Sequence, residues 1–204
     1  MKKLFILTVI FSLSLVAANA QLEFGIKGGL SGSKLNLSEK PSFDYSNESN
    51  NTINFGIYSR LKIPVVGLYI QPELIFNNRA SNFKVLNEKA FFHKANYVDI
   101  PVLVGIRLLK FARIYGGPNF QILTKQLTEL PANNPDYIKN ELSKHSTGFQ
   151  LGVGADLARL RLDLKWDFNN ASMGSPFTYK GHTPELTSRL ITLQIGFKLF
   201  SILD

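Results

Sequence analysis

The sequence predicts an all-β fold, an eight-stranded antiparallel up-and-down transmembrane β-barrel. Three observations predict it. Apolar and polar residues alternate with period two in eight segments, each close to the ~9–11 residues that a tilted strand needs to cross a bilayer. After residue 21 no apolar run approaches the length of a membrane helix, so a membrane-spanning chain of this kind must use strands. Long polar segments and tight links alternate between the eight segments.

The alternation can be followed strand by strand. In the first, Leu22, Phe24, Ile26, Gly28 and Leu30 share one face, and Glu23, Gly25, Lys27 and Gly29 the other. The second sets Ile53, Phe55, Ile57, Leu61 and Ile63 against Asn54, Gly56, Tyr58, Arg60 and Lys62; the third sets Leu68, Ile70, Leu74 and Phe76 against Tyr69, Gln71, Glu73 and Asn77. In the fourth, Tyr97 to Leu108, Val98, Ile100, Val102, Val104 and Ile106 oppose Asp99, Pro101, Gly105 and Arg107. The fifth covers Ile114 to Thr124 and the sixth Thr147 to Leu157. The seventh alternates most cleanly, with Leu160, Leu162, Leu164, Trp166 and Phe168 opposite Arg161, Asp163, Lys165, Asp167 and Asn169. The eighth runs from Arg189 to Phe200, with Ile191, Leu193, Ile195, Phe197 and Leu199 on its apolar face.

Long polar segments at 31–51, 78–96, 125–146 and 170–188 alternate with tight links near 64–66, 109–113 and 158–159. That order places both chain ends and the short turns on the periplasmic side of an outer membrane and the longer loops outside. Pro135, Ile138, Glu141 and Leu142 in the third long segment suit a short helix without demanding one. Pro72, Pro101 and Pro118 fall inside strands of a barrel that has no free edge, so bulges are expected at them, Pro101 first.

Residues 1–20 read as a cleaved signal peptide and 21–204 as the barrel domain. Lys2 and Lys3 precede an apolar run from Leu4 to Val16, and Ala18-Asn19-Ala20 forms a small-x-small site. A retained anchor is the rival reading, but the run is shorter than the ~20 residues a spanning helix needs. The formal charge of +8 is interspersed with acids rather than massed, and no RNA-binding signature is present, so no nucleic-acid partner is expected. The absence of cysteine excludes a disulfide framework, a thiol nucleophile and a lipid-modified cysteine.

The two faces imply two environments. Phe55, Phe76, Phe120, Phe149 and Phe168 lie near the long-loop ends of their strands and are expected to form an outer aromatic girdle, with Phe24 and Phe197 at the opposite interface. The polar face sends Lys27, Arg60, Glu73, Asp99, Arg107, Asp156, Arg161, Asp163, Lys165 and Asp167 into the lumen. Eight strands enclose just enough room for side chains, and enclosed charges must be paired or wetted, so a lumen ion-pair network is expected. Lys62, Lys110, Arg113, Arg159 and Lys198, on the short-turn side, are read either as contacts to phospholipid headgroups or as ordinary turn solvation.

Phe24-Gly25-Ile26-Lys27-Gly28-Gly29-Leu30, Tyr97-Val98-Asp99-Ile100-Pro101-Val102-Leu103 and Ile114-Tyr115-Gly116-Gly117-Pro118, in that order, resemble the PorT-like outer-membrane β-barrel family common in Bacteroidetes. Gly152-Val153-Gly154 with Leu160-Arg161-Leu162-Asp163 is similar to that family's late hairpin, and Gly196-Phe197-Lys198-Leu199-Phe200 to its closing strand, although Ser201-Ile202-Leu203-Asp204 follow the aromatic end. The resemblance implies the fold and an outer-membrane location rather than an activity; the residues themselves are read as a non-enzymatic barrel without cofactor. The partners expected are membrane lipids, the outer-membrane assembly machinery, and an extracellular or envelope protein met through the loops.

Two rival functions belong to other classes: a narrow small-solute or ion channel, and a lipid-modifying enzyme. His93, His145 and His182 all fall in or beside long loops, with Ser146 next to His145, yet no acid stands at an informative spacing. No catalytic or metal-binding set is expected from three scattered histidines.

Overall fold

The computed structural model describes residues 21–37, 45–63, 67–85, 88–109, 111–129, 137–139, 143–168, 177–179 and 186–202. Their strands are β1 (Gln21–Leu37), β2 (Tyr45–Ile63), β3 (Leu68–Val85), β4 (Glu88–Leu108), β5 (Ala112–Glu129), β6 (Tyr137–Lys139), β7 (His145–Leu157), β8 (Leu160–Phe168), β9 (Phe177–Tyr179) and β10 (Leu186–Ile202). Eight of them close into a barrel in the order β1-β10-β8-β7-β5-β4-β3-β2, and β6 pairs with β9 as a separate ribbon. Every ladder is antiparallel, and the barrel closes where β1 meets β10 from Leu22↔Ile202 to Leu37↔Leu186.

Alternation of side chains across each strand decides which face meets which surroundings. Along β8, Arg161, Asp163, Lys165 and Asp167 are buried, while Leu162 is 39% and Phe168 38% exposed. The same inversion runs round the barrel: Ile53, Ile57, Val104, Leu151, Leu193 and Ile195 are all exposed, whereas Glu23, Arg60, Glu73, Asp99 and Arg113 are enclosed. A soluble protein would bury the first set and hydrate the second. Here the greasy surface faces outward all the way round. No described helix is long and apolar enough to cross a membrane, and the crossing is made by strands.

Four expectations need correction. First, the segments expected as loops at 31–51 and 78–96 are largely strand: β1 continues to Leu37, β2 starts at Tyr45, and β3 and β4 pair as far as Val85↔Glu88. Beyond the bilayer both faces of a strand meet water, so the period-two signal disappears although the ladder continues. Second, Ile138 lies in strand β6 rather than in a helix; Pro135, Glu141 and Leu142 are outside the described residues. Third, no bulge occurs at the prolines. Pairing skips from Tyr58↔Glu73 to Leu61↔Ile70 beside Pro72, from Pro72↔Val102 to Ile75↔Asp99 beside Pro101, and from Pro101↔Asn119 to Val104↔Gly116 beside Pro118, with register unchanged across each gap. The missing N–H is absorbed by a two-residue interruption of the ladder. The register shifts fall elsewhere, at Phe24/Gly25, Ser49/Asn54, Phe83/Val85 and Asn96/Tyr97. Fourth, Ser201 and Ile202 do not trail behind the closing strand. They belong to it, paired with Glu23 and Leu22.

The short turns sit at one end. Gly67, Leu109 and Ala158 adopt left-handed backbone there, with φ of 67°, 58° and 56°, as tight connections between twisted strands require. Bonds from Arg107 N to Gly67 O, Asp156 N to Phe111 O and Lys198 N to Arg159 O tie each turn to the neighbouring strand.

Candidate functional site

The lumen divides into two zones by depth. The half nearest the short turns holds a dense set of charges. Glu73 on β3 accepts from Lys27 of β1 at 2.7 Å and from Lys165 of β8 at 2.6 Å, so one carboxylate ties three strands together. Lys27 also lies 3.5 Å from Asp163. Asp163 in turn pairs at 2.6 Å with Arg113 of β5, whose other terminal nitrogen is 2.7 Å from Asp156 of β7. Asp156 is shared further with Arg60 at 3.1 Å, Arg161 at 3.2 Å and Arg107 at 3.6 Å. Glu23 on β1 closes the set: Arg161 Nη2 donates to both of its carboxylate oxygens at 2.9 Å, and Lys62 lies 2.6 Å away.

Aromatic rings frame these charges. Tyr58 donates to Glu23 at 2.9 Å and Tyr115 to Asp163 at 2.7 Å. The Arg60 guanidinium stands 4.8 Å from the Tyr69 ring centre and the Arg113 guanidinium 5.7 Å from that of Tyr115, close enough for cation–π attraction. The rings lie flat along the inner wall because the neighbouring strand carries glycine opposite them. Tyr69 covers Gly105, its partner in the β3–β4 ladder, and Tyr115 covers Gly152 in the β5–β7 ladder; a Cβ at either glycine would overlap the ring. Leu103, fully buried, packs between Tyr69 and Tyr115. Charge, ring and glycine together line this depth of the lumen.

Among the described residues, the outer half of the lumen is polar but sparsely charged. Asn54 donates to Ser31 Oγ at 2.7 Å, Gln194 donates to Asn54 at 2.6 Å, and Ser31 meets Thr192 at 2.8 Å. Ser146 donates to Gln121 at 3.0 Å. Of the ten charged residues expected in the lumen, eight form the ion pairs above. Asp99 and Asp167 stand in this outer zone, where Asp99 accepts from Asn77 and Asp167 from Asn119 at 3.4 Å.

Two residues of the network were assigned elsewhere from sequence. Arg113 and Lys62, read as turn-side bases facing headgroups or water, instead point into the lumen, Arg113 being 2% exposed. Strand parity dictates this: Arg113 shares its face with Tyr115, Asn119 and Gln121, all buried. Glu23, also absent from the expected set, lies on the lumen parity of β1 with Lys27. Arg159 is exposed in its turn, and Lys110 lies outside the described residues.

The aromatics expected as a girdle all face outward: Phe55, Phe76, Phe120, Phe149 and Phe168 are between 38% and 61% exposed. Phe55 pairs with Phe76 and stacks on it at 5.3 Å, and Phe149 pairs with Phe168. At the other end Phe24 stacks on Phe200 at 5.1 Å across the barrel closure. Of the histidines, His145 is exposed at the start of β7 and His93 lies on β4; His182 is outside the described residues. Among the described residues no cluster of three metal-ligating side chains occurs.

Comparison with known proteins agrees with this architecture. Neisserial surface protein A matches with a TM-score of 0.55 at 12% identity, over 86% of this chain and 97% of that one. The attachment invasion locus protein Ail of Yersinia pestis, solved with the heparin analogue sucrose octasulfate, matches with a TM-score of 0.49 at 10% identity, over 87% and 99%. The outer membrane protein OprG of Pseudomonas aeruginosa matches with 0.48 at 11% identity, over 88% and 95%. No curated protein is a significant match. Residues 17–171 match the model of the outer membrane protein β-barrel domain. The chain therefore belongs to the outer membrane protein β-barrel domain family, and the protein resides in the outer membrane.

Proposed function

We propose that this is a non-enzymatic, non-conducting barrel of the PorT-like kind, which holds a rigid scaffold in the outer membrane and meets an extracellular or envelope protein through its outward face. The observation that carries the reading is the ion-pair set centred on Glu73, Asp163 and Asp156, which joins β1, β2, β3, β5, β7 and β8 across the lumen. Opening a path would separate buried charges from their partners, which costs about 3–5 kcal/mol per pair broken. The outward strands also favour a presentation role. β1–β10 and β3–β4 continue as hydrogen-bonded ladders to Leu37↔Leu186 and Val85↔Glu88, and the β6–β9 ribbon joins the third and fourth outer segments. Polar segments on a rigid base are where binding usually resides. Membrane lipids surround the belt, the assembly machinery reads the closing strand β10, and processing after Ala20 exposes Gln21.

The test is conductance of the purified, refolded protein in a planar bilayer. The expected trace shows no discrete steps. Reproducible steps of fixed size, abolished by boiling the sample, would instead establish the channel reading. Altered lipid A or phospholipid in cells expressing the protein, lost on His145→Ala, would establish the enzyme.

A further inference from the structure

Just above the outer aromatic girdle, one arc of the wall carries bases that the reading above does not use. On three adjacent strands the outward residues change from apolar to basic: Val98, Asn96 and Lys94 on β4, Phe120, Ile122 and Lys125 on β5, and Phe149, Thr147 and His145 on β7. Lys125 stands on this face because of a bulge. Simple alternation from the buried Gln121 would turn it into the lumen. Pairing instead jumps from Tyr97↔Leu123 to Asn96↔Lys125, and Thr124 is the extra residue, its hydroxyl donating to Asn96 O at 2.9 Å. Ala95 and Tyr97 are buried on either side of Asn96, so Lys125, its partner, faces outward with it. Bulges re-aim side chains in this way. Lys94 pairs with Leu127, the next outward position, which sets the two lysines diagonally with their Cβ atoms roughly 7–8 Å apart. Lys144 is exposed beside them, its carbonyl accepting from Leu123 N at 2.8 Å. No acid occurs in 94–98, 120–127 or 144–149.

We propose that this arc binds the phosphate groups of lipid A, the glycolipid of the outer leaflet. Height and chemistry select that occupant. β5 leaves the short turn at Ala112. At ~3.3 Å per residue along a strand tilted by ~40°, Lys125 stands roughly 30 Å above it, just beyond an apolar band ~25 Å tall and therefore among headgroups. Lys94 and Lys125 at diagonal spacing can converge on one phosphate, with Lys144 and the His145 ring as further donors. Phe120, Ile122 and Phe149, directly below, meet the acyl chains of the same molecule. At the corresponding height β1, β2 and β3 present Gly32, Asn51 and Asn78 to the outside. The bases thus mark one arc rather than the whole circumference.

The experiment titrates bis-phosphorylated lipid A into the refolded, detergent-solubilised barrel and counts bound molecules by native mass spectrometry, with fully dephosphorylated lipid A as the second probe. Wild type should take up one bis-phosphorylated molecule in a saturable step and bind the dephosphorylated one at least about tenfold more weakly. Lys94→Gln and Lys125→Gln should each raise the half-saturating concentration about fivefold, and together about thirtyfold, as expected for bases beside an anionic headgroup. Lys125→Arg keeps the charge and should bind like wild type. Arg189→Gln removes the same charge from the outward face of β10, three strands from β5, and should shift binding by less than about twofold. These are exposed positions, where substitution leaves folding nearly untouched, and a boiled-versus-unboiled gel checks each variant. Equal uptake of the two lipids, or a double variant that binds like wild type, overturns the proposal by leaving only hydrocarbon contact. A loss on Arg189→Gln as large as that on Lys125→Gln overturns it too, in favour of a diffuse field. None of these results depends on whether the lumen conducts.

Discussion

Replacing Glu73 by Gln removes one negative charge and leaves the shape of the side chain nearly intact. Lys165 then loses its 2.6 Å partner, and Lys27 keeps only Asp163 at 3.5 Å, with both lysine side chains no more than 2% exposed. Breaking a buried ion pair by removing one partner costs about 3–5 kcal/mol; because one carboxylate serves two ammonium groups here, we expect about 5 kcal/mol. Equilibrium unfolding in urea from lipid vesicles, followed by Trp166 fluorescence, measures it. The companion variant, Glu73→Gln with Lys165→Met, removes one charge of each sign and should recover at least about 2 kcal/mol, a coupling that a double-mutant cycle isolates. A single variant within about 1 kcal/mol of wild type, or a double variant whose losses simply add, refutes the view that these charges are held by each other rather than by water.

Three further expectations follow from local geometry. Ala158 has left-handed backbone at the β7–β8 turn, and asparagine tolerates that region better than alanine; Ala158→Asn should stabilise the barrel by about 0.5–1 kcal/mol, visible as a higher urea midpoint at unchanged slope. Gly152→Ala would drive a methyl into the Tyr115 ring and should cost about 1–3 kcal/mol as overpacking does, with a lower temperature of gel-shift loss; an unshifted transition would show that the ring moves freely. Leu193 is 58% exposed on the outer wall, and Leu193→Arg should cost about 2–4 kcal/mol if that wall meets the bilayer interior; refolding yield into vesicles equal to that of wild type would contradict the orientation of the barrel.

The spanning part of the fold was legible because each of its strands has two different solvents on its two faces. Lys165 between Leu164 and Trp166 can be read in only one way once a membrane is assumed, and the same parity fixes Arg60, Glu73 and Asp163. Legibility stopped where the contrast stopped. The outward part of β3 from Asn78 to Val85 lacks that contrast in sequence and reads as loop, although it is paired with β4. Arg113 stands beside a turn, which by itself suggests solvent, but its parity with Tyr115 sends it into the lumen. The proline gaps had no sequence signal that distinguished them from bulges, since both answer the same missing N–H. Nor does periodicity reveal that Tyr69 lies over Gly105 and Tyr115 over Gly152, because these matches depend on register between strands rather than order along one.

The balance of the lumen charges is uneven in a way that depth explains. In the lumen, Lys27, Arg60, Lys62, Arg107, Arg113, Arg161 and Lys165 pair with Glu23, Glu73, Asp156 and Asp163, while Asp99 and Asp167 lie buried further out. Seven bases against six acids leave one positive charge in excess, which would be costly if all were equally enclosed. They are not: the Arg107 side chain is 38% and that of Lys62 13% exposed at the short-turn rim, whereas that of Arg113 is 1% exposed. The surplus is carried where water reaches it, and the strict matching lies deeper. Arg107→Ala should therefore change stability by under about 1 kcal/mol, as exposed pairs do. Arg113→Ala removes the shared partner of Asp156 and Asp163 and should cost about 3–5 kcal/mol. Equal losses in the same urea assay would mean that the rim is as dry as the plug, and the graded lumen would have to be given up.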